Sequence, residues 1–155
     1  MIPAPALPTV LTALLLLSNL AGCRPPQTSA LPTTKMQLGN QTFTLEIANT
    51  GATREHGLMQ RDAMDADHGM IFVFANEQPL SFWMKKTRIP LDIIYVDAQQ
   101  KVVGIKQMKP YDLTATPSPR PAKWAIELNK GAADTAGVKV GDQLTIPESA
   151  QKVGE

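Results

Sequence analysis

One cysteine, Cys23, occurs in the 155 residues. An intramolecular disulfide is therefore excluded, and stability must come from a packed core. Histidine is almost as scarce, with two residues, which leaves little material for a zinc site of the usual His and Cys kind. Aromatic residues make up 5% of the chain, and no basic run is interleaved with them. That pattern, together with an export signal, speaks against nucleic acid as a partner. Charge is missing altogether from the first 22 residues, and the apolar block Val10 to Leu17 is too short to cross a bilayer as a helix.

What this opening segment does have suits a signal peptide. The apolar block runs into Leu20 Ala21 Gly22 Cys23, which resembles the bacterial lipobox, where the cysteine sulfur takes a diacylglyceryl group before cleavage. Residues 1–22 are expected to be a lipoprotein signal peptide and Cys23 the lipidation site. Acyl chains such as palmitate would then hold the chain at a membrane, each buried methylene contributing about 0.8 kcal/mol. The n-region lacks Lys and Arg, leaving the terminal amine as its positive charge. Arg24 follows Cys23 where inner-membrane retention has Asp, so by resemblance to enterobacterial sorting the outer membrane is favoured over the inner. Residues 23–34 (CRPPQTSALPTT) read as a tether rich in Pro, Ser and Thr. A single globular domain is expected over 35–147, followed by a polar tail at 148–155. The expected place is the periplasmic face of the cell envelope.

Within the domain, Met36 to Leu38 and Thr42 to Ile47 alternate around Gly39 Asn40, the pattern of strand, tight turn, strand. Thr50 is placed to cap a short helix through Gln60. The acidic loop Arg61 to Gly69 fails the calcium-loop pattern, because setting Gly69 at the sixth position puts Met64 and Ala66 at ligand positions. Met70 to Phe74 reads as a buried strand. Leu91 to Val96 and Lys101 to Met108 make the clearest hairpin, and Pro110 to Pro121, with four prolines, reads as loop. Lys123 to Leu128 is another strand, Ala132 to Ala136 a helical turn closed by Gly137, and Val138 to Ile146 ends in a last strand. The expectation is an α+β, mostly β fold. It has a small twisted or barrel-like sheet of about seven short strands, one short helix and one helical turn.

The most distinctive stretch is FWMKKTRIPLDIIYVD, Phe82 to Asp97. With GLMQR (Gly57 to Arg61), GMIFVF (Gly69 to Phe74), AIELNKG (Ala125 to Gly131) and KVGDQL (Lys139 to Leu144), it resembles the bacterial and archaeal domain of unknown function 192 family. The resemblance covers the whole domain and implies an exported or lipid-anchored β-rich protein, with no established reaction. In that family the central block usually reads Trp-Met-Lys-Asn-Thr, whereas here Lys86 takes the place of Asn.

Candidate site residues cluster on the same stretch: Trp83, Met84, Lys85 and Asp92, together with Glu127 and Arg54. Aromatic, basic and acidic groups at the mouth of a small β-barrel would suit a binding surface for a sugar, a peptide or an anionic headgroup. Asp92 has a second reading, an ion pair with Lys85 or Arg88 that stiffens the turn, while alternation sends Glu127 to solvent. An envelope hydrolase using Asp92 and Glu127 as acid and base is the alternative to a non-catalytic binding or accessory lipoprotein. No metal and no cofactor is implied. Nine basic and four acidic residues lie between Gln78 and Lys130, against three and six between Lys35 and Glu77. That polarity suits an anionic envelope ligand or protein partner beside the membrane itself.

Overall fold

Strands that are apolar on both faces must be covered on both faces, and that demand arranges the molecule. The computed structural model describes residues 31–154. The expected signal peptide, Cys23 and the expected tether as far as Ala30 lie outside the described residues.

In chain order come β1 (Thr33–Leu38), β2 (Gln41–Ala48), α1 (Gly51–His56), β3 (His68–Gln78), β4 (Ser81–Phe82) and β5 (Leu91–Val96). They are followed by β6 (Val102–Met108), β7 (Thr116–Pro117), β8 (Ala122–Asn129), α2 (Ala132–Thr135) and a 3-10 turn (Glu148–Ala150). Six strands form one sheet in the order β1-β2-β3-β8-β5-β6, and β4 and β7 make a separate two-stranded ribbon. Only the β2–β3 pair is parallel, joined through α1.

The first hairpin turns at Gly39, whose φ of 55° suits glycine. Thr50 caps α1 reciprocally with Thr53. The helix stops at His56 rather than Gln60, because Gly57 takes a positive φ of 50°.

The sheet is open, with β1 and β6 as its edges, which corrects the barrel-like expectation. Val138 to Ile146 supplies no closing strand. Its buried Val138, Leu144 and Ile146 pack under the sheet, while its backbone folds over the start of β6 through Val102 N–H to Asp142 O and Gly141 N–H to Val102 O. Beyond a single antiparallel bridge between Lys101 and Gln143, alternation there reflects packing rather than a paired strand. The described residues of the tail from Glu148 are exposed except Ala150, which is buried and whose carbonyl accepts from Trp124 Nε1 at 2.8 Å.

Two apolar clusters lie on opposite faces. One holds Leu45, Ile71, Ile94, Ile126, Leu128 and the α2 residue Ala133. The other holds Met70, Phe72, Leu91, Ile93 and Tyr95 beneath Leu80, Met84 and Ile89. All six residues of β5 are therefore buried. Asp92, pointing to the first face, accepts from the N–H groups of Gly131 (2.8 Å) and Ala133 (3.1 Å) and so ties the start of α2 to β5. This replaces the expected pair with Lys85 or Arg88; Arg88 instead bonds Asp62.

The turn before β5 is built from backbone bonds: Thr87 N–H donates to Met84 O and Gln60 N–H to Lys86 O. Lys86 sits there at φ 54°. Asn tolerates this left-handed conformation better than Lys does, so the family's usual Asn has a backbone rationale needing no ligand. We expect Lys86→Asn to stabilise the protein by up to about 1 kcal/mol. Asp92→Ala removes the oxygen shared by the part-buried Gly131 N–H and the buried Ala133 N–H and should cost about 2–4 kcal/mol. Asp92→Asn, retaining one acceptor, should lose less than half of that. Urea midpoints at unchanged m-value test all three.

Candidate functional site: a cleft floored by a buried glutamate

Residue pairing between strands decides which side chains can meet. Glu127 stands opposite Met70 on β3 and Ile93 on β5, whereas Asp92 stands opposite Leu128. Directly opposed residues share a face and successive residues alternate, so the two carboxylates point to opposite sides of the sheet. They cannot act on one substrate as an acid and base pair.

Glu127 reaches the face covered by residues 80–91 and is 5% exposed, which corrects its assignment to solvent. Met70, Phe72, Ile93 and Tyr95 surround it. No described residue donates a hydrogen bond to its carboxyl, and burial alone pushes its pKa from 4.5 up to about 8. The other buried carboxylate on this sheet face, Glu46, is held by both Nη atoms of Arg61, while Glu55, exposed, also lines the cleft above. Glu46 is also opposite Met70, so two strand spacings, roughly 10 Å, separate Arg61's partner from Glu127. Burial, with the Glu127 carboxyl second, also raises the pKa of Tyr95, whose hydroxyl donates to Thr116 O at 2.6 Å.

Above Glu127 a cleft of about 340 Å³ opens, lined by Phe72, Phe74, Phe82 and Trp83, with Leu58, Thr87 and His56 among the other walls. Phe72 and Phe82 meet edge to face, 5.0 Å between centroids. Arg54 lies 5.1 Å from the centre of the Phe74 ring and donates to the carbonyls of Asn49 and Val73, both at 2.9 Å. Lys85 Nζ stands 5.1 Å from the centre of the Trp83 ring. The rings facing this space thus already carry two of the protein's own cations.

Of the candidate residues, Trp83, Glu127 and Arg54 line the cleft. Lys85 joins its rim through the Trp83 ring, Met84 is buried under the turn, and Asp92 belongs to the other face. The sequence reading missed Phe72, Phe74, Phe82, His56, Leu58 and Thr87. Alternation along Met70 to Phe74 would have put Phe72 and Phe74 on Glu127's side, had the pairing partner been known. His56 and Leu58 carry no such signal, since they reach the cleft by the early end of α1.

Residues 33–146 match the family DUF192, described as "Uncharacterized ACR". No curated protein matches the chain. Two crystal structures are similar. A protein of unknown function from Novosphingobium aromaticivorans DSM 12444 is 33% identical, with a TM-score of 0.70, covering 77% of this chain and 89% of its own. A protein from Sinorhizobium meliloti 1021, named a "putative transcription regulator", is 32% identical with a TM-score of 0.67, covering 72% of this chain and 89% of its own. With the FWMKKTRIPLD turn, the GMIFVF strand and the buried glutamate on one frame, the chain belongs to the DUF192 family.

Proposed function

We propose that the protein is an envelope lipoprotein, anchored through Cys23 at the periplasmic face of the outer membrane, whose domain binds a small ligand without transforming it. The observation that carries the binding reading is the Glu127 carboxyl, nearly buried and bonded by no described residue, at the floor of an aromatic-walled cleft. A buried polar group without a partner is costly, and a ligand that supplies one recovers that cost.

Electrostatics selects the kind of ligand. With a pKa of about 8, Glu127 is mostly protonated at pH 7 and offers one O–H donor. A ligand cation would have to remove that proton and would meet Arg54 and Lys85, which already occupy the faces of Phe74 and Trp83. An acceptor oxygen on a molecule with an apolar face meets no such obstacle. Amides, acetamido sugars and carboxylates fit this description. The regulator name of the Sinorhizobium protein brings no residue of this cleft with it, and the export reading points to a different compartment.

Two experiments test the reading. Fragment titrations followed by amide and indole NMR shifts should perturb Leu58, Thr87 and Trp83 with amides, acetamido sugars or carboxylates, while simple amines leave them unmoved. Binding by amines alone would overturn the ligand class; no cleft shift with any fragment would overturn the binding role. Mass spectrometry of the membrane-extracted protein should show diacylglyceryl on Cys23, and an unmodified cysteine there rejects the anchor.

The proton on Glu127 also sets a pH dependence. Its folded pKa lies above the unfolded value, so between about pH 4.5 and 8 the folded state holds a proton that the unfolded state releases. Stability therefore falls as pH rises through that window, by a few kcal/mol in all. Glu127→Gln removes this fall: the variant should match the parent near pH 5 and exceed it above pH 8, read from urea midpoints at both pH values.

A further inference from the structure

Three of the five large apolar side chains exposed among the described residues lie on one connected surface. They are Trp83 at 51%, Tyr111 at 61% and Leu113 at 66%. The loop that carries Tyr111 and Leu113 is bonded to the turn that follows Trp83. Met84 N–H donates to Asp112 O at 2.8 Å and Tyr111 N–H to Thr87 O at 3.1 Å. Lys85, Lys86, Arg88 and Lys109 are exposed on the same two segments. The acids here are Asp112 and Asp62, and Asp62 is bonded to Arg88. The rim is thus apolar and net basic at once.

A second observation gives this rim its direction. Leu31, where the described chain begins, packs against the apolar cluster that Met84 and Phe82 also join, on the cleft face and away from α2. Pro32 O then accepts from Ile47 N–H at 2.8 Å, fixing the point of entry. Eight Cα-to-Cα steps lead from Cys23 to Leu31, and they span about 29 Å at most. A domain of this length has half a girth of roughly 50 Å. Because the chain enters on the cleft side of edge strand β1, an acyl anchor on Cys23 would favour presenting the cleft face to the bilayer.

We propose that the rim formed by Trp83, Tyr111 and Leu113 with Lys85, Lys86 and Lys109 docks on an anionic lipid surface, with the cleft opening against the headgroups. This rests on the lipoprotein reading for what brings the domain to the membrane, but not for the contact itself. Indole and phenol rings favour the headgroup level of a bilayer, a leucine enters below it, and lysines gather anionic headgroups.

The two tryptophans of the chain make the test specific, since Trp124 is 3% exposed and Trp83 is the accessible one. Full-chain protein is mixed with vesicles of phosphatidylglycerol and phosphatidylcholine whose acyl chains are brominated. The exposed tryptophan should be quenched and shifted to the blue, an effect lost in pure phosphatidylcholine and reversed by molar salt. Combining Lys85→Glu with Lys86→Glu, both at exposed positions, should weaken vesicle binding at least about tenfold while the urea midpoint stays put. Quenching of an unacylated chain upholds the docking face and removes only the anchor. An acylated chain that sediments with vesicles yet keeps unquenched Trp83 emission overturns the docking face and leaves the anchor standing. Equal quenching by neutral vesicles, or a blue shift that grows with protein concentration and needs no lipid, also overturns it, the latter pointing to a second copy as occupant.

Discussion

The pairing of β5 with β8 is the constraint on which the rest depends. It sets Asp92 against Leu128 and Ile93 against Glu127, and so gives two carboxylates one residue pair apart opposite surroundings. On one face Asp92 finds two backbone N–H groups and becomes a fastening for α2. On the other, Glu127 finds Met70, Phe72, Ile93 and Tyr95 and no donor. A slip of one residue in this pairing would bring both carboxylates to the same face of the sheet. Register, rather than residue type, makes one carboxylate structural and the other available.

Much of the frame was legible in the chain. The Gly39 hairpin, the Thr50 cap, the Leu91 to Met108 hairpin and the Ala132 helical turn depend on local chemistry, and each forms close to where that chemistry placed it. What was not legible depends on pairing between distant segments. The sequence of β8 does not say that it inserts between β3 and β5, and only that insertion buries Glu127 on both sides. Val138 to Ile146 misled for the complementary reason, since a period of two arises wherever alternate side chains face a core, paired or not. Trp83, Arg54 and Glu127 could be named as candidates from residue type alone; that they share a cleft, and that Asp92 does not, required the register.

The turn from Met84 to Ile89 serves both faces of this arrangement. Met84 and Ile89 point inward and roof the cluster that buries Glu127, while Lys85 and Lys86 between them point outward. Lys86 holds a backbone conformation that glycine or asparagine would hold more easily. A lysine in that place puts a second positive charge on the rim beside Lys85, at a modest conformational cost. The same few residues therefore set the depth of the cleft and the charge at its mouth.

Glu127 itself works against stability at neutral pH and above. Gln or Leu would fill comparable space without the charging penalty, and replacing buried ionisable groups with uncharged ones is often neutral or stabilising. Its position in the centre of the sheet gives it no structural task that a neutral residue would fail, since no described group bonds to its carboxyl. What a carboxylic acid offers here that Leu cannot is an O–H at the floor of the aromatic-walled cleft. What it offers that Gln cannot is loss of that donor as the pH climbs past about 8. Under the proposed binding role, a ligand held by this proton would be released when the proton leaves, and the group that weakens the fold would also select the ligand.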